Sequence, residues 1–305
     1  MHANTAISPA ADAPGAASLR QVTRVVRGRP TSDGAGVKLT RVIGQPALDM
    51  LDPFLMLDEF FSDDPGDYLA GFPSHPHRGF ETVTYMLDGH MQHKDDHGNT
   101  GDLGPGDVQW MSAARGIIHS EMPQQSEGRM RGFQLWLNLP AKEKMKPAAY
   151  RDIAATEIPS VKGPRVETRV IAGTLGTTVG PIHGGSTDPY YFDVHLEAGA
   201  VFEGALPAGH NAFLYVYEGE ALVGAEKKPV ANRAAGLLSS NEESVRLEAG
   251  SNGARVLLLA GKPLREPVVQ YGPFVMNTRQ EIEQAIADYQ AGTLSQGEIG
   301  RIKIA

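Results

Sequence analysis

The chain contains no cysteine. That absence excludes disulfides, thiolate zinc sites and a cysteine nucleophile, so any bound metal must be held by nitrogen and oxygen. Long apolar runs are missing too. Nowhere do 18 apolar residues follow one another, and no membrane span is expected. The opening stretch, MHANTAISPAADAPGAASLR, has neither a basic n-region nor a continuous apolar h-region. It reads as a small-residue mobile tail over residues 1–19, not as a signal peptide, and a cytoplasmic location is the matching expectation. Positive charge is in deficit. Lys and Arg number 28 against 36 Asp and Glu, a net charge of −8, which argues against direct nucleic-acid binding through a basic face.

What the chain has in quantity is turn chemistry. Its 35 glycines and 21 prolines are spread over 305 residues and separate short apolar or alternating runs. FETVTYML, DVQWMSA, FQLWLNL, YYFDVHLEAG, AFLYVYEGEALVG and RVLLLAG are each about strand length. Many short strands between turns predict an all-β sandwich or barrel. Helical periodicity is convincing only near the end. Thr278 is placed as an N-cap with Glu281 three residues on, a capping box, and Ile282, Ile286 and Tyr289 share one face before Gly292. That predicts a short helix over about 278–291. A second helical piece is expected after Pro140 in PAKEKM. A faint repeat aligns Tyr85 with Tyr215 and Gly89 with Gly219, so two copies of one β unit are expected. The dividing point falls near 140–160, giving units at 20–145 and 146–305.

The stretch FPSHPHRGFETVTYMLDG, 72–89, carries His75 and His77 two residues apart. In a strand, i and i+2 point to one face about 7 Å apart, and both rings can lean towards one ion. Ten histidines in this length yield about a third of such a pair by chance, so the pair alone decides nothing. A second pair, His119 and Glu121, follows a Gly-Pro-Gly-Asp turn and a strand. Two antiparallel strands facing across a small barrel can bring both pairs onto one ion. Three neutral imidazoles and one carboxylate suit Fe(II), Mn(II), Ni(II), Co(II), Cu(II) or Zn(II). Two similar patterns are set aside. His93-x-Asp95 reads as a polar hairpin, and His195-x-Glu197 as a solvated strand face.

With DPFLMLDEF (52–60), GFPSHPHRGFETVTYML (71–87), GDVQWMSAARGIIHSEMP (106–123), GFQLWLNLPAKEKM (132–145) and EPVVQYGPFVMNT (266–278), the chain resembles the pirin family of the cupin superfamily. The resemblance covers nearly everything beyond residue 20. It implies two stacked cupin β-barrels, with one divalent metal, usually iron as Fe(II), in the first barrel only. It places the ligands at His75, His77, His119 and Glu121. Glu81, where many other cupins have a ligand, is read as pocket wall or as orienting a ligand histidine. Aligned on Gly219, the histidine positions of the second half become Ala205 and Pro207, and His210 stands as a loop histidine. Activity as a quercetin 2,3-dioxygenase is implied, with a small planar aromatic substrate, O2, and Glu121 as catalytic base. The alternative is a metal-dependent regulatory protein that binds a partner without turnover. A monomer is expected in either case.

Overall fold

The computed structural model describes residues 19–302. The tail expected over residues 1–19 therefore lies, Leu19 apart, outside the described residues. Two antiparallel β units make up the fold. In the first, an eight-stranded sheet runs in the order Arg29–Asp33, Val37–Ile43, Phe54–Ser62, Met130–Asn138, Phe80–Asp88, Val108–Ser112, Ala149–Ile153, Gly300–Arg301. A four-stranded sheet of Phe72–His77, Ile117–Pro123, Met91–Asp95 and Thr100–Leu103 accompanies it. The second unit is built around two long strands, Asn211–Val223 and Ser244–Gly261, which pair with each other and bend at register shifts near Glu218 and Gly219. Among the described residues no helix is long and apolar enough to cross a membrane.

Two terminal elements cross the middle of the chain. Val22–Arg27 pairs with Ala234–Leu238 of the second unit. Gly300–Arg301 pairs with Ala149–Ile153 at the edge of the first sheet. The helix Arg279–Gln290 also packs on the first unit, where Phe274, Ile282, Ala285 and Leu294 form a cluster with Ile118. Its capping box is the expected one: the Thr278 hydroxyl accepts from Glu281 N, and Glu281 Oε2 accepts from Thr278 N at 2.8 Å. PAKEKM is not a helix. It is a run of turns, with Glu143 N to Pro140 O and Lys144 N to Ala141 O, and the Lys144 side chain is drawn into the protein.

Strand alternation divides the apolar residues between three places. Val83, Tyr85, Trp110, Phe133 and Leu135 of the first unit meet Tyr191, Phe213, Tyr215, Leu257 and Leu259 of the second in one shared core. The second unit's interior holds Phe192, Val194, Leu214, Val216, Val256 and Leu258. The opposite faces of the first unit's strands carry the third group, a cluster of Val37, Leu39, Phe60, Met86, Met91, Leu103 and Met130, beside the histidines and other polar groups.

The shared core contains two matched polar locks at the positions the repeat aligns. The Tyr85 hydroxyl donates to Asp193 Oδ2 across the interface at 2.7 Å. The Tyr215 hydroxyl donates to Glu59 Oε2 in the reverse direction at 2.6 Å. Asp193 and Glu59 are both buried. Burial pushes the Asp193 carboxyl up, but contacts from His195, Tyr217 and Tyr85 outweigh it and hold the group below its ordinary value. His195 lies on the solvent-reached strand face expected of it, its side chain 30% exposed, and from there its Nε2 lies 3.0 Å from both Asp193 Oδ2 and the Tyr217 hydroxyl. Glu59 is also held by Arg131 at 3.0 Å. Removing the Tyr215 hydroxyl leaves a buried carboxylate oxygen without that donor. Tyr215→Phe should therefore cost about 1–3 kcal/mol, read as a lowered urea midpoint with unchanged slope. A midpoint equal to wild type would show that the lock contributes nothing.

Candidate metal centre

The strand that carries His75 and His77 ends at a sharp kink. Gly79 has φ +95°, and a Cβ there would lie 1.9 Å from the Val275 carbonyl oxygen. After the kink the chain enters a different sheet at Phe80. The strand Phe72–His77 belongs to the four-stranded sheet and pairs there with Ile117–Pro123, with His119 directly opposite His75. The two candidate pairs are therefore hydrogen-bonded neighbours, not partners facing across the barrel.

Three imidazoles converge. His75, His77 and His119 each offer a ring nitrogen, and these atoms all lie within 4.8 Å of one another. His75 Nε2 and His77 Nε2 are 2.9 Å apart. Two donors at 2.0–2.1 Å from one ion and a right angle apart would be separated by about 3 Å. The protons fit the same purpose. His75 Nδ1 sits 2.8 Å from the Pro73 carbonyl, to which it can donate, leaving a lone pair on Nε2. His119 Nε2 is buried with no hydrogen-bond partner. Burial, and next His75, hold His77 well below the ordinary histidine value; burial and the neighbouring imidazoles do the same for His119. Neutral imidazole is the metal-binding form. This donor set fits a divalent ion.

Glu121 stands apart from the three. A register shift between His119 and Glu121 re-aims it. Its Oε1 accepts from the Thr84 hydroxyl at 3.0 Å, and Gln134 Nε2 lies 3.5 Å from Oε2. It lies outside the group of mutually close donors but lines the same cavity as His75 and His77. That cavity is about 620 Å³, with walls that include Met56, Phe60, Phe72 and Trp136. A cavity of about 590 Å³ on the second unit is bounded by the ion pairs Arg165–Glu197 and Arg255–Glu218 and has none of these imidazoles in its lining.

The expectation for Glu81 is corrected. A regular strand would put it beside His75 and His77, but the kink at Gly79 resets the alternation. Glu81 points the other way and accepts from Trp110 Nε1 at 3.1 Å. Burial raises its pKa to about 7. The residue that sequence reading missed is His93. It is fully buried, on the strand Met91–Asp95, with Nδ1 3.0 Å from His119 Nδ1. The signal was the alternation of Met91, His93 and Asp95, buried residues between the less buried Gln92 and Lys94. His210, expected in a loop, is buried there, with Nε2 3.2 Å from the Asp188 carbonyl.

Two antiparallel barrels, one interior filled with aliphatic side chains and the other with converging imidazoles, define a two-domain cupin. The chain belongs to the pirin family: the pirin model matches residues 36–137 and the pirin C-terminal cupin model residues 191–295. It is 57% identical, over 90% of its length and 98% of the relative's, to a Pseudomonas aeruginosa protein named "Putative quercetin 2,3-dioxygenase". It is 43% identical to human pirin, over 90% of this chain and 93% of that one. Among solved structures, a quercetin 2,3-dioxygenase from Acinetobacter baumannii superposes with TM-score 0.83 at 32% identity, covering 91% of this chain and 99% of that one.

Placing Glu81 away from the imidazoles has a measurable consequence. Its folded pKa, about 7, is above the ordinary 4.5, so the folded state binds the extra proton between those values. The group's contribution is full below pH 4.5 and is lost as pH rises through 7. Glu81→Gln should gain on wild type by up to about 3 kcal/mol between pH 4.5 and 8, measured as urea midpoints, with metal content unchanged. A pH-independent gap, or loss of metal in the variant, would contradict this placement.

Proposed function

We propose that the chain is a metal-dependent dioxygenase that cleaves a flavonol with O2 and releases carbon monoxide. One divalent ion per chain, Fe(II) by family resemblance, would be held by His75, His77, His119 and Glu121. The observation that supports this most is the convergence of three imidazoles at a flavonol-sized cavity with apolar and aromatic walls. When bound, the ion supplies a Lewis-acidic centre for an anionic oxygen and for reaction with O2.

The chain's own residues do the rest. Met56, Phe60, Phe72 and Trp136 enclose a planar ring system and exclude water. Glu121 accepts the proton of the flavonol 3-hydroxyl, with Thr84 holding its Oε1. The flavonol's central ring takes up both oxygen atoms and loses one carbon as carbon monoxide, leaving a ring-opened ester. Family membership and the names carried by its relatives support this reading.

Elemental analysis should give one metal per chain, lost in the His75→Ala/His77→Ala double variant. With quercetin, the loaded protein should consume O2 and release carbon monoxide. Glu121→Gln keeps an oxygen donor but cannot take the proton, so turnover should fall roughly 10²–10⁴-fold with much of the metal retained. His119→Ala should lose metal and activity together. If the loaded wild type consumes no O2 with any flavonol, the dioxygenase reading fails and a regulatory metal-binding protein takes its place.

A further inference from the structure

His93 lies opposite Glu121 in the pairing of Met91–Asp95 with Ile117–Pro123, and so diagonal to His119 on the same face. It is 0% exposed. The nitrogen it presents to His119 is Nδ1, 3.0 Å from His119 Nδ1. Two ring nitrogens at that distance share one proton, so one ring donates and the other accepts. The direction decides what His119 can do. If His93 donates, the His119 proton sits on Nε2, and the lone pair needed at the imidazole cluster is gone. If His93 accepts, His119 carries its proton on Nδ1, and Nε2 is a free donor. His119 Nε2 is buried with no hydrogen-bond partner.

We propose that His93 is a positioning residue that selects the metal-binding form of His119 by accepting its Nδ1 proton. This rests on the three-histidine metal reading above. The nearby carboxylates are otherwise engaged. Asp95 accepts from the backbones of His97 and Asn99 and from the Asn99 side chain. Asp152 Oδ1 accepts from Gln109. His93 is therefore the hydrogen-bond partner of His119 Nδ1, and its own proton is confined to Nε2, also buried and unpartnered. A neutral acceptor has a chemical advantage here. A carboxylate in its place would add a second negative charge beside Glu121 in a buried setting, whereas imidazole orients His119 without adding charge.

The test has two independent arms on the full chain loaded with Zn(II). In long-range proton–nitrogen spectra of the ¹⁵N-labelled wild type, His119 should be protonated on Nδ1 and His93 on Nε2. Chelator competition should then show Zn(II) affinity reduced roughly 10–100-fold in His93→Phe, which fills the space without an acceptor. His93→Gln, which keeps an acceptor oxygen, should recover most of it. Protonation of His93 on Nδ1 in the loaded wild type would overturn the proposal even if His93→Phe fails to fold. So would a folded His93→Phe variant that binds Zn(II) as tightly as wild type. A wild type that binds no Zn(II) at all would overturn the underlying metal reading, and this proposal with it.

Discussion

The ammonium of Lys144 sits between three oxygens: Gly79 O at 2.6 Å, Asn138 Oδ1 at 2.6 Å and Val275 O at 2.9 Å. All three N–H donors are used, which favours the charged form, although burial pulls the pKa down to about 8. This contact clips together three distant pieces of chain at the kink after His77. Arg78 reinforces it: its carbonyl accepts from Val275 N at 3.0 Å and its guanidinium pairs with Asp288 at 2.7 Å. The terminal segment is thereby fastened to the first barrel. Gln270, Gly272 and Pro273 of that segment form part of the cavity wall. The kink marks the passage of the chain from the four-stranded sheet, where His75 lies opposite His119, into the large sheet at Phe80.

The two barrels show how one alternating pattern serves different ends. Strand Phe80–Asp88 sends Val83 and Tyr85 into the shared core, while Thr84 on its opposite face reaches Glu121. Strand Met130–Asn138 does the same, with Phe133 and Leu135 towards the interface and Gln134 and Trp136 towards the cavity. The groups around the candidate site therefore stand on strands whose backs are packed against the second barrel. That barrel's interior is filled by aliphatic side chains and phenylalanine. A rigid platform is what a site requiring precise donor placement needs.

Polar burial follows the same economy. Tyr85 and Tyr215, at matching positions of the repeat, each reach a buried acid on the other barrel. A tyrosine supplies apolar area to an interface and a single hydroxyl at its far end. The pairing can satisfy a carboxylate inside a mostly hydrophobic core, and it does so here in both directions.

Much was determined by the sequence alone. Turn residues and alternation specify β units, the Thr278 capping box specifies the helix, and the two histidine motifs contain the three imidazoles that converge. These are local properties, set by neighbours two to four positions away. Other features depended on tertiary structure. Glu81 changed faces because Gly79 resets the strand's period, a kink stabilised by Lys144 and Val275 from distant positions. His93 became part of the site because its strand pairs beside His119, which its own hairpin does not encode. Glu121 turned towards Thr84 and Gln134 through a bulge visible only in the pairing. Alternation fixes which residues can share a face only while the strand stays regular. Bends, bulges and the choice of neighbouring strand are decided by contacts far apart in the chain.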